Sequence, residues 1–358
     1  MKTLSFLHRW SGGLIGLLLA ILGLSGTILV WEKSWISLPG AHDPLTRNVQ
    51  QIGAIAEREA AAGATRITFA SDDFGLIQVG REGGAGAYLN QHGETVAAWS
   101  SQWQRPELWI FDLHHHLFTG ETGETVAGIA GIFGLLFVIS GIFLWLRSRS
   151  PWRPRLLPKK FQPGPIASHH RDLGILVAPL LLISFLTGTM QLFRPFAGVV
   201  LSPFGKLEQR ARPPEVAKVE GPVPVAAMLA AAQARFPDAE LRRLMLPGKP
   251  GQAWQVTMKQ PFEWSENGRT RLAFDGAGKL VKLDNPTTGS KAASIFETLL
   301  PVHSARVGGF AWKLVMTVSG LSLTILGLFA CLSFWIRKAK KRRRPEIARA
   351  GLEVASAA

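Results

Sequence analysis

Four stretches of this 358-residue chain, Gly12–Trp31, Val126–Leu146, Leu173–Phe193 and Leu314–Ile336, are apolar from end to end. None contains Asp, Glu, Lys, Arg or His. Each approaches the ~20 residues of helix that cross a hydrocarbon layer of about 30 Å. Helix is the natural state for such segments, because it pairs every backbone N–H and C=O internally where no water can. The fold class expected is therefore membrane α-helical, with four transmembrane helices. Lys2 and Arg9 precede the first stretch as they would in a signal peptide. The stretch is too long for a signal h-region, however, and "ILVWEKSW" offers no small-residue cleavage site, so it reads as an uncleaved anchor.

The net charge of +15 at pH 7 could suggest nucleic acid, but its placement argues against that partner. Residues 147–171 ("RSRSPWRPRLLPKKFQPGPIASHHR") carry seven Lys and Arg and no acid, and residues 337–344 ("RKAKKRRR") are nearly all basic. Both runs adjoin spans, where Lys and Arg mark the cytoplasmic side. The expected organisation follows from these runs. Residues 1–35 form a cytoplasmic N-terminus and the first span, and 36–112 a first external domain. A His-rich entry and the second span occupy 113–147, and a basic cytoplasmic loop occupies 148–171. The third span covers 172–194, a second external domain 195–300, the fourth span 301–336, and a basic cytoplasmic tail 337–358. Trp10, Trp31, Trp35, Trp145, Trp152, Trp312 and Trp335 fall near span ends, as an interfacial belt does. The single cysteine, Cys331, lies inside the fourth stretch, so no disulfide can form within the chain and no C-x-x-C-H can attach haem covalently.

The chain also repeats itself. "HRWSG" (8–12) matches "HRDLG" (170–174), and the same offset of 162 aligns "LSGT" (24–27) with "LTGT" (186–189). Gly123 and Gly141 align with Gly309 and Gly327 at an offset of 186. A duplicated helical hairpin results, each copy reading span, external insert, span, with the two halves parallel. The inserts share an order. A helical stretch (45–63 and 222–236) is followed by short strand-like runs, "TRITFA", "GLIQVG" and "AYLNQHGETVAAW" in the first, "LRRLML", "AWQVTMK" and "RTRLAFDGAGKLVKLD" in the second. "NQHGE" and "DGAGK" are turn signals. Each insert is expected to be a small α+β domain with one helix on an antiparallel sheet.

With these motifs in view, the chain resembles the PepSY-associated transmembrane family, which includes iron-regulated membrane proteins and siderophore reductases. The resemblance rests on the His-Arg entries to the first and third spans, on "LHHHLFTGETG" (113–123) before the second and "VHSARVGG" (302–309) before the fourth. "YLNQHGE" and "FDGAGK" look like hairpins of PepSY domains. The resemblance implies a four-helix haem b protein of the bacterial inner membrane that reduces an iron chelate, such as a ferric siderophore, on the periplasmic side.

The histidines carry the chemistry. His8 and His170 occupy equivalent positions, each followed by Arg (Arg9, Arg171) and, four residues on, by a glycine (Gly12, Gly174) on the same helix face. A flat macrocycle ligated by His needs such a gap, and Arg is suited to pair with its carboxylates. His8 and His170 are thus candidate axial ligands of one haem b, with His169 the spare. The bland alternative is a pair of solvated turns attracted to anionic membrane lipid. His303 lies six residues before Gly309 and His114 six before Gly120, which selects His114 from the triplet. His114 and His303 are candidate ligands of a second haem near the external face, with His115 and His116 second-tier and Arg306, about one turn after His303, a propionate partner. Arg105, Trp109 and Arg306 are candidate contacts for an external chelate. Glycines 128, 131 and 134 recur at helical spacing, either for close helix packing or to admit a porphyrin. Pro179 is expected to kink the third span.

No G-x-G-x-x-G follows a strand and opens a helix, so the electron donor is expected to be another molecule on the cytoplasmic side. Two competing functions stand beside this one. A transporter would explain repeated halves, but the apolar stretches lack the ionisable groups that coupled carriers place there. A membrane-tethered binding or regulatory module would leave the histidines incidental.

Overall fold

The computed structural model describes residues 2–148, 158, 160–207, 213–217 and 221–356, with side chains placed as far as residue 339. Most of the basic loop (149–157 and 159) and the side chains of the basic tail beyond 339 lie outside the described residues. The chain runs α1 (Lys2–Val30), α2 (Glu32–Trp35), α3 (Val49–Ala61), β1 (Arg66–Thr68), β2 (Ile77–Gly80), β3 (Gly86–Leu89), β4 (Thr95–Trp99), α4 (Pro106–His116) and α5 (Glu121–Leu146). It continues through α6 (Pro163–Leu192), α7 (Arg194–Leu201), α8 (Val225–Arg235), β5 (Glu240–Met245), β6 (Trp254–Lys259), β7 (Thr270–Phe274), β8 (Leu280–Asp284), α9 (Lys291–His303) and α10 (Gly309–Ser356). Two compact units result: a helical one from Met1–Val30, Phe111–Phe193 and His303–Ala358, and a sheet-containing one from Trp31–Ile110 and Arg194–Val302.

In the helical unit, α1, α5, α6 and the Gly309–Ala339 part of α10 are long and apolar enough to cross a membrane. Each starts ahead of its apolar stretch, so His8 and His170 sit within helices rather than in turns before them. Proline at the first position of α6 suits the start of a helix, because its missing N–H has no intrahelical partner there. Pro179 lies inside α6, which continues past it as one helix.

Small residues bring the helices together. α1 lies on α10 so closely that a Cβ on Gly16 would stand 2.6 Å from the Gly327 carbonyl oxygen, and one on Gly23 would stand 2.7 Å from that of Gly320. On α5, Gly128, Gly131 and Gly134 receive Phe193, Thr189 and Phe185 of the α6 segment. These three glycines therefore serve helix packing, which in lipid depends on close van der Waals contact rather than on expulsion of water. Ser184 Oγ of α6 lies 2.9 Å from Ser319 Oγ of α10. Leu19, Ala130, Val138, Leu173, Val177, Leu181, Phe185 and Leu326 fill the interior.

In the second unit the strands follow the order read from sequence, but not as two domains. All eight form one antiparallel sheet, β4-β3-β2-β1-β5-β6-β7-β8. The seam is β1 with β5, pairing Arg66 with Met245, Ile67 with Leu244 and Thr68 with Arg243. The expectation of two separate small sheets is thus replaced by one sheet. The physical reason is edge satisfaction: alone, each insert would leave β1 or β5 as an unpaired edge, and joining them pairs both. One core runs across the seam, with Ile55, Ile67, Val79, Met228, Leu229, Leu244, Val256 and Phe274. α3 and α8 pack together over it, Gly53 facing Ala226. The two hairpin tips are built alike. Asn90 Oδ1 accepts from the N–H of His92 and Glu94, and Asp275 Oδ1 accepts from those of Ala277 and Lys279. Gly93 and Gly278 both take φ of +84°, a backbone region that favours glycine.

Candidate functional site

His8 on α1 and His170 on α6 face each other inside the helical unit, their ring centres 6.3 Å apart and their planes at 83°. His8 packs edge-on to Phe137 of α5, and its Nδ1 lies 2.8 Å from Ser140 Oγ. His169, the spare, turns away: it is fully buried and sets its ring against Phe329 of α10. A cavity of about 680 Å³ surrounds the facing pair, lined by His8, His170, Arg9, Arg171, Gly12, Gly141 and Gly174 among others. Around Gly12 and Gly174 the space is open, since an added Cβ would first meet Ala330 at 3.6 Å or Leu326 at 4.0 Å. Arg9 is exposed at the cavity. Arg171 has a carboxylate partner already, its Nη2 standing 2.7 Å from the buried Asp172 Oδ1. An Asp172 contact therefore comes before any ligand carboxylate.

The second pair rests on Gly26 and Gly188, eighteen residues further along the same two helices, or about 27 Å at the ~1.5 Å rise of an α-helix. His114, near the end of α4, and His303, the last residue of α9, again have ring centres 6.3 Å apart, with planes at 36°. Each imidazole lies on a glycine. A Cβ on Gly26 of α1 would come 2.8 Å from His114 Cε1, and one on Gly188 of α6 would come 3.0 Å from His303 Cε1. Each Nδ1 also meets a hydroxyl, His114 that of Ser25 and His303 that of Thr187, both at 3.0 Å. The repeated "LSGT" and "LTGT" thus hold the two rings in matching ways.

Burial, with His115 and His303 as neighbours, pushes the His114 imidazole down to about 3. Burial lowers His303 likewise. Both rings are neutral at physiological pH, the form in which imidazole ligates metal. His115 does not join the pair; it stacks on Phe111 at 4.2 Å, and burial first, then His303, His116 and Arg306, push it down to about 4. His116 Nδ1 lies 3.0 Å from Asp112 Oδ1. Arg306 differs from its sequence placement: α9 ends at His303, so it is an exposed loop residue rather than one turn further on a helix. Arg105 is engaged within its own unit, donating from Nε to Glu107 Oε1 at 2.7 Å and lying over the Tyr88 and Trp99 rings. Trp109 is half-buried on α4. Sequence reading missed Ser25, Gly26, Ser140, Thr187 and Gly188 as parts of the site. The doubled "LSGT/LTGT" was the signal that could have found four of them.

A family model for the PepSY-associated TM region matches residues 6–338. The chain belongs to that family. It is a multi-pass membrane protein of the iron-regulated type. No curated protein matches it closely enough to add a more specific relative.

The residues of this PepSY-associated protein suit an iron porphyrin, to which His8 with His170, and His114 with His303, would offer imidazole nitrogens. Both pairs have the same ring-centre separation, 6.3 Å. The cavity at His8 and His170 lies within the roughly 300–1,000 Å³ of sites that enclose a small organic molecule. Among the described residues no group of three or more His, Cys, Asp or Glu side chains is placed to hold a bare metal ion.

Proposed function

We propose that this protein is an inner-membrane haem b electron-transfer protein that reduces a ferric chelate, such as a ferric siderophore, in the periplasm with electrons from a cytoplasmic donor. The observation that carries the reading is a recurring separation: two facing imidazole pairs with ring centres 6.3 Å apart, the first on α1 and α6 and the second resting on Gly26 and Gly188 eighteen residues further along those helices. In this reading His8 and His170 hold one haem b, and His114 and His303 hold a second. Bis-imidazole haem supplies a one-electron relay with no open coordination position.

The chain's own residues account for the rest. Neutral imidazoles act as ligands without prior proton loss. Gly12, Gly141 and Gly174 leave the flat space beside the first pair. Arg9 would meet a propionate, and Arg171 would do so while keeping its Asp172 partner. The apolar walls, Phe137, Val138, Leu181 and Phe185 among them, exclude water and so set the potential. The basic runs at 147–171 and 337–344 orient both termini to the cytoplasm. In this reading the sheet-containing unit is periplasmic and the second pair serves the acceptor. One electron passes to each ferric ion, the donor being oxidised by the same amount, and Fe(II) is held less firmly by hard oxygen ligands. The duplicated helical hairpin explains why residues 162 apart carry the same contacts.

The test uses the purified full-length protein. His8→Ala and His303→Ala should each remove about half of the haem b absorbance, and the double variant nearly all of it. Each should also slow reduction of a ferric hydroxamate chelate by reconstituted vesicles. Unchanged haem content in both single variants would overturn the ligand assignment. A colourless wild-type protein would favour a tethered binding module instead.

A further inference from the structure

Three of the four facing imidazoles share one arrangement. Ser25, Thr187 and Ser140 each direct the hydroxyl proton at a carbonyl one turn back on their own helix: to Ile21 at 2.8 Å, to Ile183 at 2.7 Å and to Leu136 at 2.6 Å. Each Oγ also lies 2.8–3.0 Å from a histidine Nδ1: His114, His303 and His8 respectively. A hydroxyl has a single proton. With that proton given to the carbonyl, the oxygen must accept from the ring, so Nδ1 carries the hydrogen. Nε2 is then left with its lone pair, free for a metal. The helix carbonyl decides the tautomer through the hydroxyl.

The fourth imidazole departs from this pattern. Leu326 stands 186 residues after Ser140, at the corresponding place on α10, and has no hydroxyl to offer. No side-chain hydroxyl meets His170 Nδ1; the backbone of Leu326 is the hydrogen-bond partner of this ring instead.

We infer that Ser25, Thr187 and Ser140 are positioning residues that fix the Nδ1–H tautomer and aim of His114, His303 and His8, and that Leu326 leaves His170 the one ligand without a hydroxyl partner. This rests on the haem reading above. The consequence is an asymmetric protein. The pair at Ser25 and Thr187 has a hydroxyl on both sides, and the pair at His8 and His170 on one side only. Ligand orientation and basicity depend on such outer partners, whose loss weakens metal affinity about 10- to 100-fold.

The experiment isolates each pair by working in full-length His8→Ala protein, which keeps only the second haem, and in His303→Ala protein, which keeps only the first. Haem retention is read from the rate and extent of transfer to excess apomyoglobin, and the midpoint potential from a redox titration. In the first background, Ser25→Ala and Thr187→Val should bind haem about 10- to 100-fold more weakly and shift its potential, while Thr187→Ser should behave as the parent. In the second background, Ser140→Ala should weaken binding and Leu326→Ser should strengthen it. Nitrogen-15 spectra of histidine-labelled, haem-free protein give a separate readout, with Nδ1–H tautomers expected at His8, His114 and His303. Parental retention and potential in Ser25→Ala, Thr187→Val and Ser140→Ala, or Nε2–H tautomers at these rings, would overturn the positioning role while leaving the haem reading intact. A wild-type protein that holds no haem would overturn both.

Discussion

At the scale of single residues, the paired glycines are as telling as the histidines. Gly26 and Gly188 are where the His114 and His303 rings rest, and a Cβ at either would intrude to 2.8 Å and 3.0 Å respectively. Carbon contacts that short force a ring to move, and a ligand displaced by even a few tenths of an ångström loses its coordination geometry. Gly26→Val and Gly188→Val should therefore empty the second haem site and spare the first. Haem-to-protein stoichiometry falling from two to one checks this, and retention of two would refute it. His115 supports a different expectation. Its ordinary value of 6.5 is pushed down to about 4 by burial. The unfolded chain then takes up a proton before the folded one does, so stability is complete above pH 6.5 and declines as pH falls from 6.5 towards 4. His115→Gln should flatten that decline, as thermal melts of the full-length protein at pH 7 and pH 5 would register. An equal loss of melting temperature in both proteins would count against it.

At the scale of elements, what lipid and local geometry impose can be read directly from the sequence. The four spans are legible because a bilayer fixes both length and apolarity, and the strands because Gly93 and Gly278 mark tight tips. His170 and His114 can be chosen over their neighbours from the offset and from the spacing to glycine. The repeat singles out Ser25 but not its partner, because His114 lies 89 residues away and a helix sequence does not announce which neighbour it will touch. The glycines of α5 were open to two readings, and the aromatic rings of α6 seated on Gly128 and Gly134 decide for packing. The same principle governs α1 and α10. Gly23→Val would push a side chain into the Gly320 carbonyl and force the helices apart, at a cost of about 1–3 kcal/mol. Thermal unfolding of the variant in detergent should show a lower midpoint, and an unchanged midpoint would argue that this contact is not maintained in solution.

At the scale of the whole molecule, the two inserts share one sheet although two membrane spans separate them in the chain. Their union through β1 and β5 joins residues about 177 positions apart, and strand sequence alone does not reveal which edge a strand will seek. Ile67 lies at that seam, fully buried opposite Leu244. Ile67→Asp places a charge in the shared core, so limited proteolysis should open both inserts together. Cleavage confined to residues 36–112 would mean that the halves fold separately. The wider account, an electron path across a membrane held by two imidazole pairs, comes down to whether porphyrin is bound. The most direct measurement is a reduced-minus-oxidised spectrum with haem quantitation on well-folded wild-type protein from haem-replete cells. The account predicts low-spin haem b at two per chain, and a monodisperse preparation with no bound porphyrin would contradict it.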